Sequence, residues 1–364
     1  MKKLFSIIIF SIISLSVFAQ TKTENVILVL LDGIRWQEVF RGAEPELLNK
    51  ENGGVANTDA LKQRFWHEDN DERRKLLMPF FWGVIAKQGQ LYGNQDKGNI
   101  AKLANKYHFS YPGYSEMIVG FADDEINSNA PKPNQNVSVF EWLHKLPKYK
   151  DKVAVFGAWD VVAAIINRER CGFYVNVGIE PVEKGFISER QKMINELKQQ
   201  LFTPWGTEPY DAITLHSAIE YMKTNKPNLV WITFGETDEF AHEGRYDRTR
   251  DAIYRSDLMM KALWEFIQTN GHYKNKTTLI ITTDHGRGDP PTNWRNHGTA
   301  YPGSDNIWIA VLGPDSPPLG EVATQQQITL SQIPATISAL LREKYFESDK
   351  RIAQPIETVY RKQK

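Results

Sequence analysis

Apolar, β-branched residues fall in short unbroken runs along this chain rather than alternating with polar ones. The clearest are "NVILVLLD" (25–32), "KVAVFGAWD" (152–160), "NLVWITFGETD" (228–238), "TTLIITTDHG" (277–286) and "NIWIAVLGP" (306–314). A strand that is hydrophobic at every position has both faces covered, so these runs predict buried strands. Between them the period lengthens. "SERQKMINELKQQLF" (188–202), "AITLHSAIEYMKTN" (212–225), "RYDRTRDAIYRSDLMMKALWEFIQTN" (245–270) and "QQITLSQIPATISALLREKYF" (326–346) carry helix-like patterns. Strands alternating with helices predict an α/β fold, with a mainly parallel sheet and helices on both faces. With no repeat, low-complexity tract or Gly/Ser linker, residues 21–364 read as a single domain. The segment 43–107, with "FWHEDNDERRK" and "MPFFWG", fits neither period and reads as a small insertion or cap.

Composition narrows the function. With 364 residues, 41% of them hydrophobic, the chain can bury a large core. Lys plus Arg and Asp plus Glu are both 44, so it lacks the positive excess that binding to nucleic-acid phosphates needs. The start, "MKKLFSIIIFSIISLSVFAQ", has a basic head, an apolar core and small residues at Val17 and Ala19. That layout predicts a signal peptide over residues 1–20, cut after Ala19 or Gln20, and a periplasmic or secreted protein. An uncleaved anchor is the alternative, because the apolar run almost suffices to span a bilayer. After cleavage no membrane span is expected. The single cysteine, Cys171 in "ERCGFYVNV", excludes an intramolecular disulfide and reads as a small buried residue rather than a nucleophile.

The ends of the strand runs carry the chemistry. Asp32 ends the first, Asp238 closes "NLVWITFGETD", and Asp284 and His285 close "TTLIITTDHG". In open α/β sheets, ligands sit beyond the carboxyl ends of the strands. His242 follows in the spacing Asp238-x-x-x-His242, which puts both side chains on one side of a starting helix. His297 sits in the polar loop "RNHGT". Carboxylate oxygen and imidazole nitrogen together suit zinc, and also manganese. Trp159 and Asp160, at the end of the 152–160 run, are candidates to line the pocket.

The ordered set Asp32, Ser110, Asp238, His242, Asp284, His285 and His297 resembles the two-metal site of the alkaline phosphatase superfamily. "LLDGIRWQEVF" and "FSYPGYSEMIVG" are most similar to its nucleotide pyrophosphatase/phosphodiesterase branch. The resemblance runs over residues 25–313 in motif order and is sharp only at the motifs. It implies an alkaline-phosphatase-like fold and two divalent metal ions, zinc or alternatively manganese. It implies one metal on Asp238, His242 and His297, and another on Asp32, Asp284 and His285 together with Ser110. Ser110 would be the nucleophile, forming a phosphoserine that water then hydrolyses. Ser115 is the weaker alternative, since either serine can serve as a helix cap. The resemblance further implies an Asn that holds a phosphoryl oxygen: Asn129, or less well Asn127. Arg35, Arg287 and Arg295 lie in or beside the metal motifs and are candidates for binding a charged group on a small phosphate-ester substrate.

Other activities on this fold fit less well. Sulfatases carry Arg at the fifth position of their activating motif, where Ser110-Tyr111-Pro112-Gly113-Tyr114 has Tyr. Phosphoglycerate mutases of this kind are cytoplasmic, with a large domain inserted after the nucleophile. An inactive binding protein would be expected to have lost ligands. The expected activity is a phosphodiesterase, with phosphomonoesterase as the alternative.

Overall fold

The computed structural model describes residues 22–359, so the expected signal peptide lies outside the described residues. The strands are β1 (Asn25–Leu31), β2 (Gln90–Tyr92), β3 (Ala101–Lys102), β4 (Val153–Gly157), β5 (Tyr174–Val177), β6 (Leu229–Phe234), β7 (Thr277–Thr282), β8 (Ile309–Leu312), β9 (Gly320–Glu321) and β10 (Ile328–Thr329). An 8-stranded sheet has the order β5-β4-β6-β1-β7-β8-β2-β9, while β3 and β10 form a small separate pair. β1 lies between β6 and β7, parallel to both, in the register Val29 to Ile232 and Val29 to Ile281. β8 alone runs the other way, antiparallel to β7 and to β2.

The unbroken apolar runs follow from this position. Ile27, Val29 and Leu31 of β1 point into one core, Val26, Leu28 and Leu30 into the other. A strand at the centre of a sheet covered by helices has no solvent face to make polar. The helices that bear on the site are α1 (Trp36–Arg41), α2 (Asn70–Leu77), α3 (Ser110–Val119), α4 (Glu189–Gln200), α5 (Asp211–Asn225), α6 (Glu236–His242), α7 (Tyr246–Thr269) and α8 (Gln332–Leu340). Helices α5 and α7 contribute Leu215, Met222, Ile253 and Leu263 to the first core. Helices α3 and α8 contribute Met117, Ile118, Ile333 and Ile337 to the second.

The segment 43–107 is not a cap set apart from the body. Its strand β2 pairs with β8 inside the main sheet, and Leu47, Phe65, Leu77, Phe81 and Trp82 enter the first core. Its mixed pattern arises because short helices pack only part of their surface, while Arg73 and Arg74 lie buried over aromatic rings. The Arg74 guanidinium sits 3.6 Å from the Trp82 ring centre. Cys171 is a buried free thiol whose pKa burial raises, as a packing residue requires. Among the described residues no helix is long and apolar enough to cross a membrane.

Candidate metal centre

Three neighbouring strands deliver carboxylates to the same edge. Asp32 follows β1, Asp284 follows β7, and Asp238 lies in the first turn of α6, just after β6. The fourth contribution comes from α3, whose first residue is Ser110. Its N-cap, Phe109, offers no side-chain acceptor; instead Asn129 accepts the Tyr111 N–H at 2.9 Å. Gly113 lets α3 lie flat against the end of β7. A Cβ there would stand 2.4 Å from the Asp284 carbonyl oxygen, so any other residue would push the helix away.

His285 sits at the middle of the cluster, fully buried. Its Nε2 lies 3.3 Å from Asp32 Oδ1, 3.3 Å from Asp284 Oδ2, 3.8 Å from Asp238 Oδ1 and 3.5 Å from Ser110 Oγ. Its Nδ1 lies 2.8 Å from the Gly286 carbonyl, which fixes the proton there and turns Nε2 inward. Beside it, His242 Nε2 is 3.2 Å from Asp238 Oδ2 and 3.0 Å from His297 Nε2. Ligand atoms around a tetrahedral zinc with bonds of 2.0–2.1 Å stand roughly 3.3 Å apart, so these separations fit metal binding. The implied sets, Asp238/His242/His297 and Asp32/Asp284/His285, are both brought together. By distance His285 also joins Asp238 and His297, so the two sets form one continuous cluster.

The hydrogen bonding identifies which atoms are kept for a cation. Asp32 Oδ2 accepts the Tyr114 hydroxyl at 2.8 Å, and Asp284 Oδ1 accepts the Gly33 N–H at 3.1 Å. Among the described residues the other oxygens, Asp32 Oδ1 and Asp284 Oδ2, are buried with no hydrogen-bond partner. Two bare carboxylate oxygens facing each other cost several kcal/mol unless a cation lies between them, by about the desolvation penalty of each ion. Burial and the Asp32 charge raise the Asp284 carboxyl well above its usual range. Burial opposes ionisation of Asp32 too, but His285 and the Tyr114 hydroxyl hold it below the usual range. His285 is pushed up to about 9, because Asp284 and Asp32 outweigh the burial that disfavours its charge. A proton on His285 thus takes the place of the cation these carboxylates call for, and metal binding would displace it. Burial lowers His242 and His297, keeping both as neutral imidazoles, the form that binds metals.

The arginines expected to hold substrate are bonded to groups of the protein itself. Arg35 is 3% exposed, with its Nε 2.9 Å from Glu38, which also meets Arg250 at 3.1 Å. Arg287 is buried and spends its fork inside the protein: Nε on the Gly33 carbonyl, Nη1 on the Arg295 carbonyl, Nη2 on Asp238. Arg295 donates to the Asn52 carbonyl at 3.0 Å. A guanidinium close to several free carbonyls is more stable bonded to them than held in solvent, which a sequence does not reveal. Asn129 does stand at the α3 N-terminus beside Ser110. Trp159 packs edge-on against Tyr114, ring centres 6.0 Å apart, and so supports the phenol that holds Asp32. Tyr114 itself escaped the sequence reading. Its only signal was that "SYPGY" has Tyr where a sulfatase has Arg, and here that Tyr grips a carboxylate.

Comparison with known proteins gives the family and the fold. The sequence model of a family described as the Metalloenzyme superfamily matches residues 162–344. Asp238, His242, Asp284, His285 and His297 lie inside that stretch; Asp32 and Ser110 lie outside it. No curated protein matches the chain. Among solved structures, an alkaline phosphatase, PafA, has a TM-score of 0.61 at 10% identity, over 93% of this chain and 99% of that one. The lipoteichoic acid synthase LtaP from Listeria monocytogenes gives 0.57 at 13%, over 89% and 73%. Murine ectonucleotide pyrophosphatase/phosphodiesterase 5 gives 0.52 at 13%, over 88% and 96%. At such identities these likenesses establish the alkaline-phosphatase-like fold.

Proposed function

The chain belongs to the Metalloenzyme superfamily, and from that premise we propose that it is a two-metal phosphodiesterase acting through a phosphoserine on Ser110. The observation that carries the reading is the convergence on His285 Nε2. Two partnerless carboxylate oxygens and the Ser110 hydroxyl surround it at 3.3–3.5 Å, at the N-terminus of a helix.

Asp238, His242 and His297 would hold one divalent ion, and Asp32, Asp284 and His285 the other; mixed imidazole and carboxylate donors favour zinc. When bound, the pair supplies Lewis-acid polarisation of the phosphoryl group and eases loss of the serine proton. The remaining work falls to the chain. Ser110 Oγ forms a bond to phosphorus as the bond from phosphorus to the leaving alcohol breaks. Water then cleaves the phosphoserine and returns the hydroxyl. The positive end of the α3 dipole favours the negative charge on Oγ and on the phosphoryl oxygens. Asn129 uses its Oδ1 on the Tyr111 N–H, which leaves its amide nitrogen to donate to a phosphoryl oxygen.

The choice of diester over monoester rests on the arginines. A terminal dianion needs extra positive charge beside the nucleophile, and Arg35, Arg287 and Arg295 are all committed to protein acceptors. A diester carries a single charge and needs none of them. The basic and apolar run over residues 1–19 supports an exported enzyme.

The test is hydrolysis of bis-p-nitrophenyl phosphate and p-nitrophenyl phosphate by zinc-loaded protein and by Ser110→Ala. Diester cleavage that dominates and collapses in the variant is expected. Monoester dominance would move the assignment to a phosphatase. Two bound metals without turnover of either ester would sink the hydrolase reading.

A further inference from the structure

The chain reaches Ser110 through residues 104–109, which belong to no strand or helix. His108 in that bend takes φ +58, the left-handed region that strains a residue with a Cβ. Phe109 then runs extended into α3 and gives it no side-chain cap. What holds the bend is Asn105. Its Oδ1 accepts the Tyr107 N–H at 3.0 Å and the His108 N–H at 3.1 Å, a side-chain turn that mimics a backbone one.

Asn105 is held in its turn by Glu116, which lies on α3 itself and is 1% exposed. On one side Glu116 accepts the Ala104 N–H at 3.0 Å, the Asn105 N–H at 2.9 Å and the Asn105 side-chain amide at 2.8 Å. On the other it accepts the Ser331 N–H at 3.1 Å and the Ser331 hydroxyl at 2.8 Å, just before α8. A carboxylate, which only accepts, suits a place where every neighbour donates. Six residues of helix separate Glu116 from Ser110, about 9 Å, so its carboxylate does not touch the reacting atoms. The same bend also supports the loop that bears His297. Thr299, two residues past it, donates its hydroxyl to the Lys106 carbonyl at 3.0 Å.

We propose that Glu116 and Asn105 are positioning residues for Ser110. The contacts close a ring: Ser110 to Glu116 along α3, Glu116 to Asn105 through side chains, and Asn105 back to Ser110 through the bend. Ser110 is thereby fixed from both directions along the chain before substrate arrives, which a nucleophile on an uncapped helix start requires. The inference rests on Ser110 as the nucleophile of the proposed phosphodiesterase and adds what holds it in place.

The experiment measures kcat and KM for bis-p-nitrophenyl phosphate, zinc content and urea stability on the zinc-loaded protein. Asn105→Ala should lower kcat by about 100-fold, with KM within about twofold and the zinc content unchanged. Asn105→Ser, whose hydroxyl can accept the same N–H groups, should recover most of that loss. Ser331→Ala cuts the α8 side of the same carboxylate, so it should lower stability yet leave kcat within about twofold. Glu116→Met should be as slow as Asn105→Ala, and the double variant no slower than either. Should Glu116→Met not fold, the Asn105 and Ser331 variants decide. Unchanged kcat in Asn105→Ala overturns the inference and leaves the phosphodiesterase standing. An equal fall in Ser331→Ala makes Glu116 a general structural anchor and also overturns it. If the wild type prefers p-nitrophenyl phosphate, the diester reading falls while the same ratios on that ester decide the positioning. A Ser110→Ala variant as active as wild type, or turnover of neither ester, removes both.

Discussion

The Tyr114 hydroxyl and Asp32 Oδ2 lie 2.8 Å apart in the buried floor of the metal centre, and this bond leaves Asp32 Oδ1 bare toward His285. A phenol in that place decides which carboxylate oxygen a metal meets. Its own proton is secure, because burial and the Asp32 charge raise its pKa well above the usual range.

Tyr114→Phe should therefore keep the fold and weaken the Asp32 half of the centre. Partners of metal ligands are typically worth about 10–100-fold in metal affinity or activity. Zinc titration by competition with a chromophoric chelator should show one of two sites weakened by that factor. Unchanged affinity for both metals would show that the hydrogen bond does not orient Asp32.

Arg287 is expected to act through position and stability rather than through substrate. Its fork ties the Gly33 and Arg295 carbonyls to Asp238, and it is 2% exposed. Removing one partner of a buried ion pair costs about 3–5 kcal/mol. Arg287→Ala should lose that much in urea denaturation. A variant of normal stability with a raised KM would return Arg287 to the substrate.

Gly113→Ala tests the seating of the nucleophile. The added methyl would meet the Asp284 carbonyl at 2.4 Å, so α3 must move and carry Ser110 with it. A displacement of about 1 Å costs on the order of 100-fold in rate. Activity should fall that far while the circular dichroism spectrum and metal content hold. A fully active variant would mean that Ser110 does not depend on that contact.

Lys198 gives a pH dependence remote from the centre. Its ammonium is buried on Asn176 Oδ1 and the Glu180 carbonyl, and burial pulls its pKa down to about 8. An unfolded lysine keeps its proton to about 10.4, so between pH 8 and 10.4 the unfolded chain binds more protons. Stability then rises with pH across that window, by roughly 3 kcal/mol at most. Below pH 8 both states are protonated and the cost is constant. The stability of wild type relative to Lys198→Met should climb over this range. A flat difference would mean that the amine is solvated in the folded protein.

Much of the architecture was legible because its causes are local. Val26 to Leu31 are apolar at every position since both faces of β1 are covered, and a covered strand leaves that mark on its own residues. The ordered set from Asp32 to His297 was legible because strand ends and helix starts have recognisable chemistry. The direction of β8 was not. Ile309–Leu312 reads as a buried strand in either orientation, and only its pairing with Leu279–Thr282 decides. Strand β2 was hidden too, because Gln90–Tyr92 is too short to carry a period.

By its sequence alone this chain determined its layered α/β body and the residue types of a metal centre, since hydrophobic pattern and donor chemistry are properties of each segment. Only the tertiary structure decided what its charged side chains do. Arg287 meets the Gly33 carbonyl across 254 residues, and Asp32 meets the Tyr114 hydroxyl across 82. Such outcomes depend on which groups the fold brings within about 3 Å, where desolvation and hydrogen bonding outweigh any preference a residue carries by itself.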